Sequence, residues 1–201
     1  MRLVVATHNP KKAGEMLAIL GRRFPAWELR CLADCPGAPE PAEEGATYAE
    51  NALIKARSAA AFTGEWSLAD DAGLEIDALG GAPGLLSRRF AGEETPFPEK
   101  MRAILEMLRA VPGDRRGARF RCCVAVCAPQ GAGEWVFEAT CEGSIAEAPR
   151  GSGGFGYDPI FWLPERECTM AELTPWEKHE ISHRGKALRE VGDWLAARFA
   201  A

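Results

Sequence analysis

Apolar residues in this chain follow two rhythms. Short runs predict strands at Leu3 to Thr7 and Trp27 to Cys31. Ser67 to Asp70 and Leu74 to Leu79 predict two more, around a bend at Gly73. In the second of these, Leu74, Ile76 and Ala78 alternate with Glu75, Asp77 and Leu79, which gives Glu75 and Asp77 a wet face. Phe120 to Ala128 is almost continuously apolar. Gly131-Ala132-Gly133 turns it back into Glu134 to Cys141, predicting a hairpin. Helical spacing appears at Met16, Leu17, Ile19 and Leu20, with a stop at Gly21. Thr47 and Glu50 form a capping box for a helix to Gly64, whose Ala52, Ala56, Ala59 and Ala60 make a small-residue face. Met101, Ile104, Leu105 and Leu108 stripe a helix from Thr95 to Ala110. Thr169 to Lys178 contains helical turns, and Ile181 to Lys186 opens a last helix with Ala187, Leu188, Val191, Trp194, Leu195 and Phe199 inward.

Composition narrows the function classes. A chain of 201 residues, 47% hydrophobic and 26% charged, suits one globular domain over 1–201. A net charge of −5 argues against nucleic acid as a partner but leaves room for a small anion in a local basic pocket. No run is long enough for a membrane span, and the N-terminal apolar run is too short for a signal peptide. The seven cysteines have no framework spacing and read as reduced thiols, with Cys122, Cys123 and Cys127 inside a strand. The expectation is a cytoplasmic protein. Three histidines without a Cys-x-x-Cys pair argue against structural zinc.

Four stretches carry candidate chemistry. Thr7-His8-Asn9-Pro10-Lys11-Lys12 links the first strand to the first helix and offers backbone N–H groups and two lysines to an anion. On local pattern alone it also reads as a solvated Asn-Pro turn. Asp70 and Asp71 end a strand as adjacent like charges, which calls for a compensating cation, and hard oxygen ligands suit Mg²⁺. Glu43 and Glu44 precede the Thr47 helix, on which Asn51 and Lys55 share a face. The turn from Gly80 to Gly84 leads to Ser87, Arg88 and Arg89, which are candidates for extra contacts. Gly151, Gly153 and Gly156 match G-x-G-x-x-G spacing, but Tyr157-Asp158-Pro159 stops the helix a dinucleotide site needs. A binding loop fits better, with ring faces from Phe155 and Tyr157 and an acceptor from Asp158. Ser182, His183 and Arg184 stand at the start of the last helix, either as a cap or as donors to a polar ring or phosphate. Arg115, Arg116, Arg119 and Arg121 read as exposed.

In order, Ala6-Thr7-His8-Asn9 with Lys12 and Glu15, Glu43, Thr47 with Asn51, Ala52, Lys55 and Ala56, then Ala69-Asp70-Asp71 with Gly73-Leu74 form one series. Leu79 to Gly84, Gly153 to Phe161, Ala171-Glu172-Leu173, and Lys178 with Ser182 to Gly185 complete it. The chain thereby resembles the inosine/xanthosine triphosphate pyrophosphatase family over nearly its whole length. The resemblance implies an α/β fold, an elongated mixed central sheet flanked by helices, with two lobes and an active-site cleft between them. It implies Mg²⁺-dependent cleavage of ITP, dITP and XTP to the monophosphate and pyrophosphate, in a homodimer. It places the triphosphate on Thr7, His8, Asn9, Pro10, Lys11 and Lys12, with Lys55 as a phosphate contact. Metal falls to Glu43 and Asp71, with Asp70 as a second acidic candidate, and Asp71 is also the general base. The base-binding loop falls on Phe155, Gly156, Tyr157 and Asp158, and Lys178, His183 and Arg184 are further substrate contacts. Ala72 stands where serine is common; if that hydroxyl contacts substrate, one hydrogen bond worth about 1 kcal/mol is lost. Lys11 stands where glycine is common. A pyrophosphatase for other modified nucleotides and a non-catalytic nucleotide-binding module are the competing readings.

Overall fold

In the computed structural model, residues 1–199 are described; the last two positions of the expected 1–201 span lie outside them. Among the described residues, seven strands form one mixed sheet. They are β1 (Arg2–Val5), β2 (Glu28–Cys31), β3 (Trp66–Ile76), β4 (Gly117–Cys127), β5 (Glu134–Ile145), β6 (Phe161–Leu163) and β7 (Cys168–Thr169). Their order is β2-β1-β3-β4-β5-β6-β7. β1 is parallel to both neighbours, with Leu3 opposite Leu29 and Trp66, while β5-β6 and β6-β7 are antiparallel. The helices are α1 (Pro10–Arg23), α2 (Tyr48–Thr63), α3 (Phe97–Met107), α4 (Pro175–Ile181) and α5 (His183–Arg198).

The chain divides into two compact units, and β3, β4 and β5 contribute residues to both. The first unit holds residues 1–71, 122–139 and those from 183 onward. Its core is the β1 run Leu3, Val4 and Val5, the buried β4 run Cys122 to Cys127, the small face of α2, and Ala187, Leu188, Val191 and Leu195 of α5. Trp66, Trp135 and Trp194 gather at one end of this unit, with the Arg198 guanidinium 4.7–5.4 Å from each ring centre. The second unit, residues 72–121 and 140–182, is built around Leu74, Ile76, Ile104, Leu108, Phe120, Phe161 and Met170.

Caps fall where their chemistry predicts. Thr47 Oγ1 accepts the Glu50 N–H at 3.1 Å, and α2 ends at Gly64. Four expectations need correction. α1 runs through Gly21 to Arg23, where the Phe24 N–H closes it on the Leu20 carbonyl and Pro25 follows. α3 is shorter than Thr95 to Ala110; Pro96 caps it in extended backbone. The bend at Gly73 is absent and β3 is one strand. Leu68, Leu74 and Ile76 are even steps apart, so the period of two runs unbroken through the glycine. Arg116 is buried rather than exposed, donating to the carbonyls of Leu108, Val111 and Ala146. Arg119 and Arg121 are half-buried and pair with Glu75, Asp77 and Glu142.

The cysteines are free thiols, with Cys122, Cys123 and Cys127 buried in β4. No helix among the described residues is long and apolar enough to cross a membrane.

Candidate active site

The continuity of β3 resolves the adjacent acids. Neighbouring strand residues point to opposite faces, so Asp70 and Asp71 turn away from one another. Asp70 turns to α1 and α5. Arg184 donates to its Oδ2 through Nε at 3.0 Å and Nη2 at 2.7 Å, and Lys12 Nζ lies 3.2 Å from Oδ1. The third arm of Arg184, Nη1, reaches Glu15 at 2.7 Å. Burial alone would raise the Asp70 carboxyl, but Arg184, Lys12 and Lys55 outweigh it and hold it well below the usual range. Asp70, the second acidic candidate, is thus a fully enclosed counter-ion.

Asp71 turns to α2. Lys55 Nζ stands 3.1 Å from Asp71 Oδ1 and 3.0 Å from Glu43 Oε1, and Asn51 Nδ2 donates to Asp71 Oδ2 at 3.3 Å. Burial raises the Asp71 carboxyl above its ordinary value; Lys55 and Lys12 pull against that, and Glu43 adds to it. Burial also works against the Lys55 ammonium, yet Asp71, Asp70 and Glu43 prevail and raise it. Asp71 and Glu43 already converge on one cation. Two carboxylates are the donor set suited to Mg²⁺ carried with a nucleotide, rather than an all-protein cage. No group of three or more acidic, histidine or cysteine ligands gathers among the described residues.

The Thr7 to Lys12 loop leads from β1 into α1. Asn9 caps the helix, its Oδ1 accepting the N–H groups of Lys11 at 3.0 Å and Lys12 at 3.2 Å, with Pro10 opening the first turn. Those two amides, expected to serve an anion, are spent on the cap. What the loop still offers an anion is the Lys11 ammonium, the helix dipole, and the Lys12 ammonium beside Asp70. His8 is exposed beside them.

The second unit carries the 155–158 loop. Asp158 accepts the Phe155 N–H at 2.8 Å and Lys178 Nζ at 2.6 Å, and Lys178 lies 4.5 Å from the Phe155 ring centre. Gly154 has φ +65°, and a β-carbon there would stand 2.1 Å from Asp158 Oδ2, so only glycine lets this carboxylate close the loop. Gly156 is half-buried next to Phe155, and Ala72 is half-buried at the start of this unit. Tyr157 differs from expectation. Its ring is buried edge-on against Phe97, and its hydroxyl donates to the Ser87 carbonyl at 2.8 Å. Ser87, an expected contact, is likewise structural: its Oγ donates to the Gly84 carbonyl and accepts the Leu74 N–H. In the first unit, His183 and Arg184 open α5, both buried.

Sequence reasoning named two residues that hold this machinery without giving either a role. Glu15 holds Arg184; its place one turn after Lys12 was the available signal. Asn51 holds Asp71; its signal was the face shared with Lys55.

Known proteins are similar in sequence and fold. A protein named dITP/XTP pyrophosphatase from Geobacillus kaustophilus is 50% identical over 191 residues, covering 95% of this chain and 92% of its own. A HAM1 protein from Coxiella burnetii superposes with a TM-score of 0.88 at 40% identity, over 98% of this chain and 99% of its own. The structure titled nucleoside-triphosphatase / dITP/XTP pyrophosphatase from Mycobacterium abscessus gives 0.73 at 42% identity, over 95% and 98%. The sequence profile of the Ham1 family matches residues 3–194, and the chain belongs to that family.

Proposed function

We propose that the protein is a nucleoside-triphosphate pyrophosphatase that hydrolyses dITP, ITP and XTP to the monophosphate and pyrophosphate with Mg²⁺. The observation that carries the reading is Asp71. It is a buried carboxylate with a raised pKa, held by Lys55, which also holds Glu43. A carboxyl poised upward from its usual value accepts a proton from water more readily. The names of the relatives at 50% and 47% identity support the same substrate class.

Each residue then has a physical task. Lys11 and Lys12 draw the triphosphate to the start of α1. Lys55 neutralises charge as the bond between the α and β phosphates breaks. Asp71 orients the attacking water and takes its proton. Glu43 and Asp71 would hold Mg²⁺, which supplies charge neutralisation on the phosphate oxygens when bound. Phe155 offers its ring to the purine, with Asp158 and Lys178 fixing the loop that carries it. His183 and Arg184 are the donors assigned to the 6-oxo group. Arg184 is committed to Asp70 and Glu15 through Nε, Nη1 and Nη2, so its contact with a base would use a second N–H on one of its terminal nitrogens. A 6-amino group would meet these donors without an acceptor, which disfavours ATP. A homodimer in the cytoplasm belongs to the same reading.

Pyrophosphate release from ITP, XTP, dITP, GTP and ATP, measured side by side with Mg²⁺, tests it. Release from the first three faster than from ATP is expected, and GTP, which shares the 6-oxo group, shows whether position 2 of the ring is read as well. Equal rates on all five would overturn the specificity, and no release from any would favour a nucleotide-binding module.

A further inference from the structure

One side chain in the acidic group has no part in those steps. Asn51 lies on α2 one turn before Lys55 and is 2% exposed. The Gly45 N–H donates to its Oδ1 at 2.8 Å, and its Nδ2 donates to Asp71 Oδ2 at 3.3 Å. The first bond decides the second. A backbone N–H is met only by the amide oxygen, so the NH₂ group is turned toward the carboxylate. Gly45 follows Glu43 by two residues. A β-carbon at Gly45 would stand 2.7 Å from Asn51 Oδ1 and 2.9 Å from the Asn51 backbone nitrogen. The loop therefore comes this close only as glycine.

We infer that Asn51 is a positioning residue: its amide ties the loop carrying Glu43 to Asp71 and sets the plane of the Asp71 carboxylate. Lys55 cannot do this alone. An ammonium is a near-spherical charge whose three donors rotate freely, so it attracts Asp71 Oδ1 without fixing the second oxygen. The planar amide, itself locked by Gly45, holds Oδ2. The same side chain limits how far Glu43 can drift from Asp71, because its two ends fasten Asp71 and Gly45, two residues after Glu43. The kinetic consequence rests on the pyrophosphatase reading; the tie between Gly45 and Asp71 does not.

Two variants separate the parts. Asn51→Asp keeps an oxygen for Gly45 but faces Asp71 with an acceptor. Asn51→Ala removes both bonds. For Asn51→Asp, kcat on dITP falls at least about tenfold while KM stays within about threefold, as for groups that orient ligands and acids. The Gly45 amide keeps its protection from hydrogen exchange in this variant. For Asn51→Ala, kcat falls similarly and Gly45 exchange quickens at least about tenfold, as a lost local bond requires. Thermal midpoints taken alongside show whether a kcat loss merely follows loss of fold, which would overturn the inference. Asn51→Asp turnover within about twofold of wild type would also overturn it, as would unchanged Gly45 exchange in Asn51→Ala. If wild type releases no pyrophosphate from any triphosphate, the functional reading fails. The exchange measurement then decides the tie alone, with an unprotected Gly45 amide in wild type counting against it.

Discussion

Asp70 and Asp71 are consecutive on β3 yet answer to different helices: Asp70 takes Arg184 of α5 and Lys12 of α1, and Asp71 takes Lys55 and Asn51 of α2. Strand geometry divides two like charges between a fully enclosed pair with Arg184 and a carboxylate shared by Lys55 and Asn51. Replacing either should therefore produce different failures.

Asp71→Asn should fold normally, bind nucleotide and lose turnover. Removing a general base costs at least about a hundredfold in kcat. Turnover measured beside calorimetric titration of a triphosphate checks this; near-normal kcat would take the base role from Asp71.

Asp70→Asn should destabilise, since it leaves the buried Arg184 guanidinium short of its counter-charge. Breaking a buried pair from one side costs about 3–5 kcal/mol, readable in urea unfolding. A loss under about 1 kcal/mol would mean the pair behaves as a surface one.

The same pair sets an acid dependence. The folded Asp70 carboxyl lies below its unfolded value of about 3.9, so its contribution is complete above that pH and declines as pH falls through it. The stability gap between wild type and Asp70→Asn should stay constant down to about pH 5 and shrink by roughly 1 kcal/mol between pH 4 and pH 3. A gap that widens with acid would reverse the assignment.

Within the second unit, Tyr157→Phe and Phe155→Ala should part company. Tyr157→Phe strips the Ser87 carbonyl of a donor and costs about 1–2 kcal/mol of stability, with the dITP-over-ATP ratio unchanged. Phe155→Ala should raise KM for every purine substrate about tenfold through lost stacking. A specificity change in Tyr157→Phe alone would return that ring to the binding surface.

Local signals carried much of the fold. Thr47, Glu50 and Gly64 bound α2 because capping is a matter of a few consecutive residues. The cysteines of β4 read as core because the run around them is apolar. Gly73 misled because a turn residue was weighed above the period of two, and with that period lost the opposite facing of Asp70 and Asp71 was lost too. Arg116, Tyr157 and Ser87 were illegible for another reason. Their partners are backbone carbonyls, some distant in sequence, and every residue offers a carbonyl, so no side-chain pattern marks the pairing. The candidate site was legible as a list of residue types, while the division of labour within it depended on facing and burial.

The tryptophans give the two units separate optical voices. Trp66, Trp135 and Trp194 surround Arg198 in the first unit, close enough to exchange excitation, and Trp27 stacks on Phe24 in the same unit. Trp162 beside Arg150 and Trp176 beside His179 report from the second. Emission from a variant keeping only Trp162 and Trp176 would follow the second unit, which carries the 155–158 loop. The Arg198 cluster would follow the half that holds Asp71, so the order in which the halves sense a ligand becomes a spectroscopic measurement.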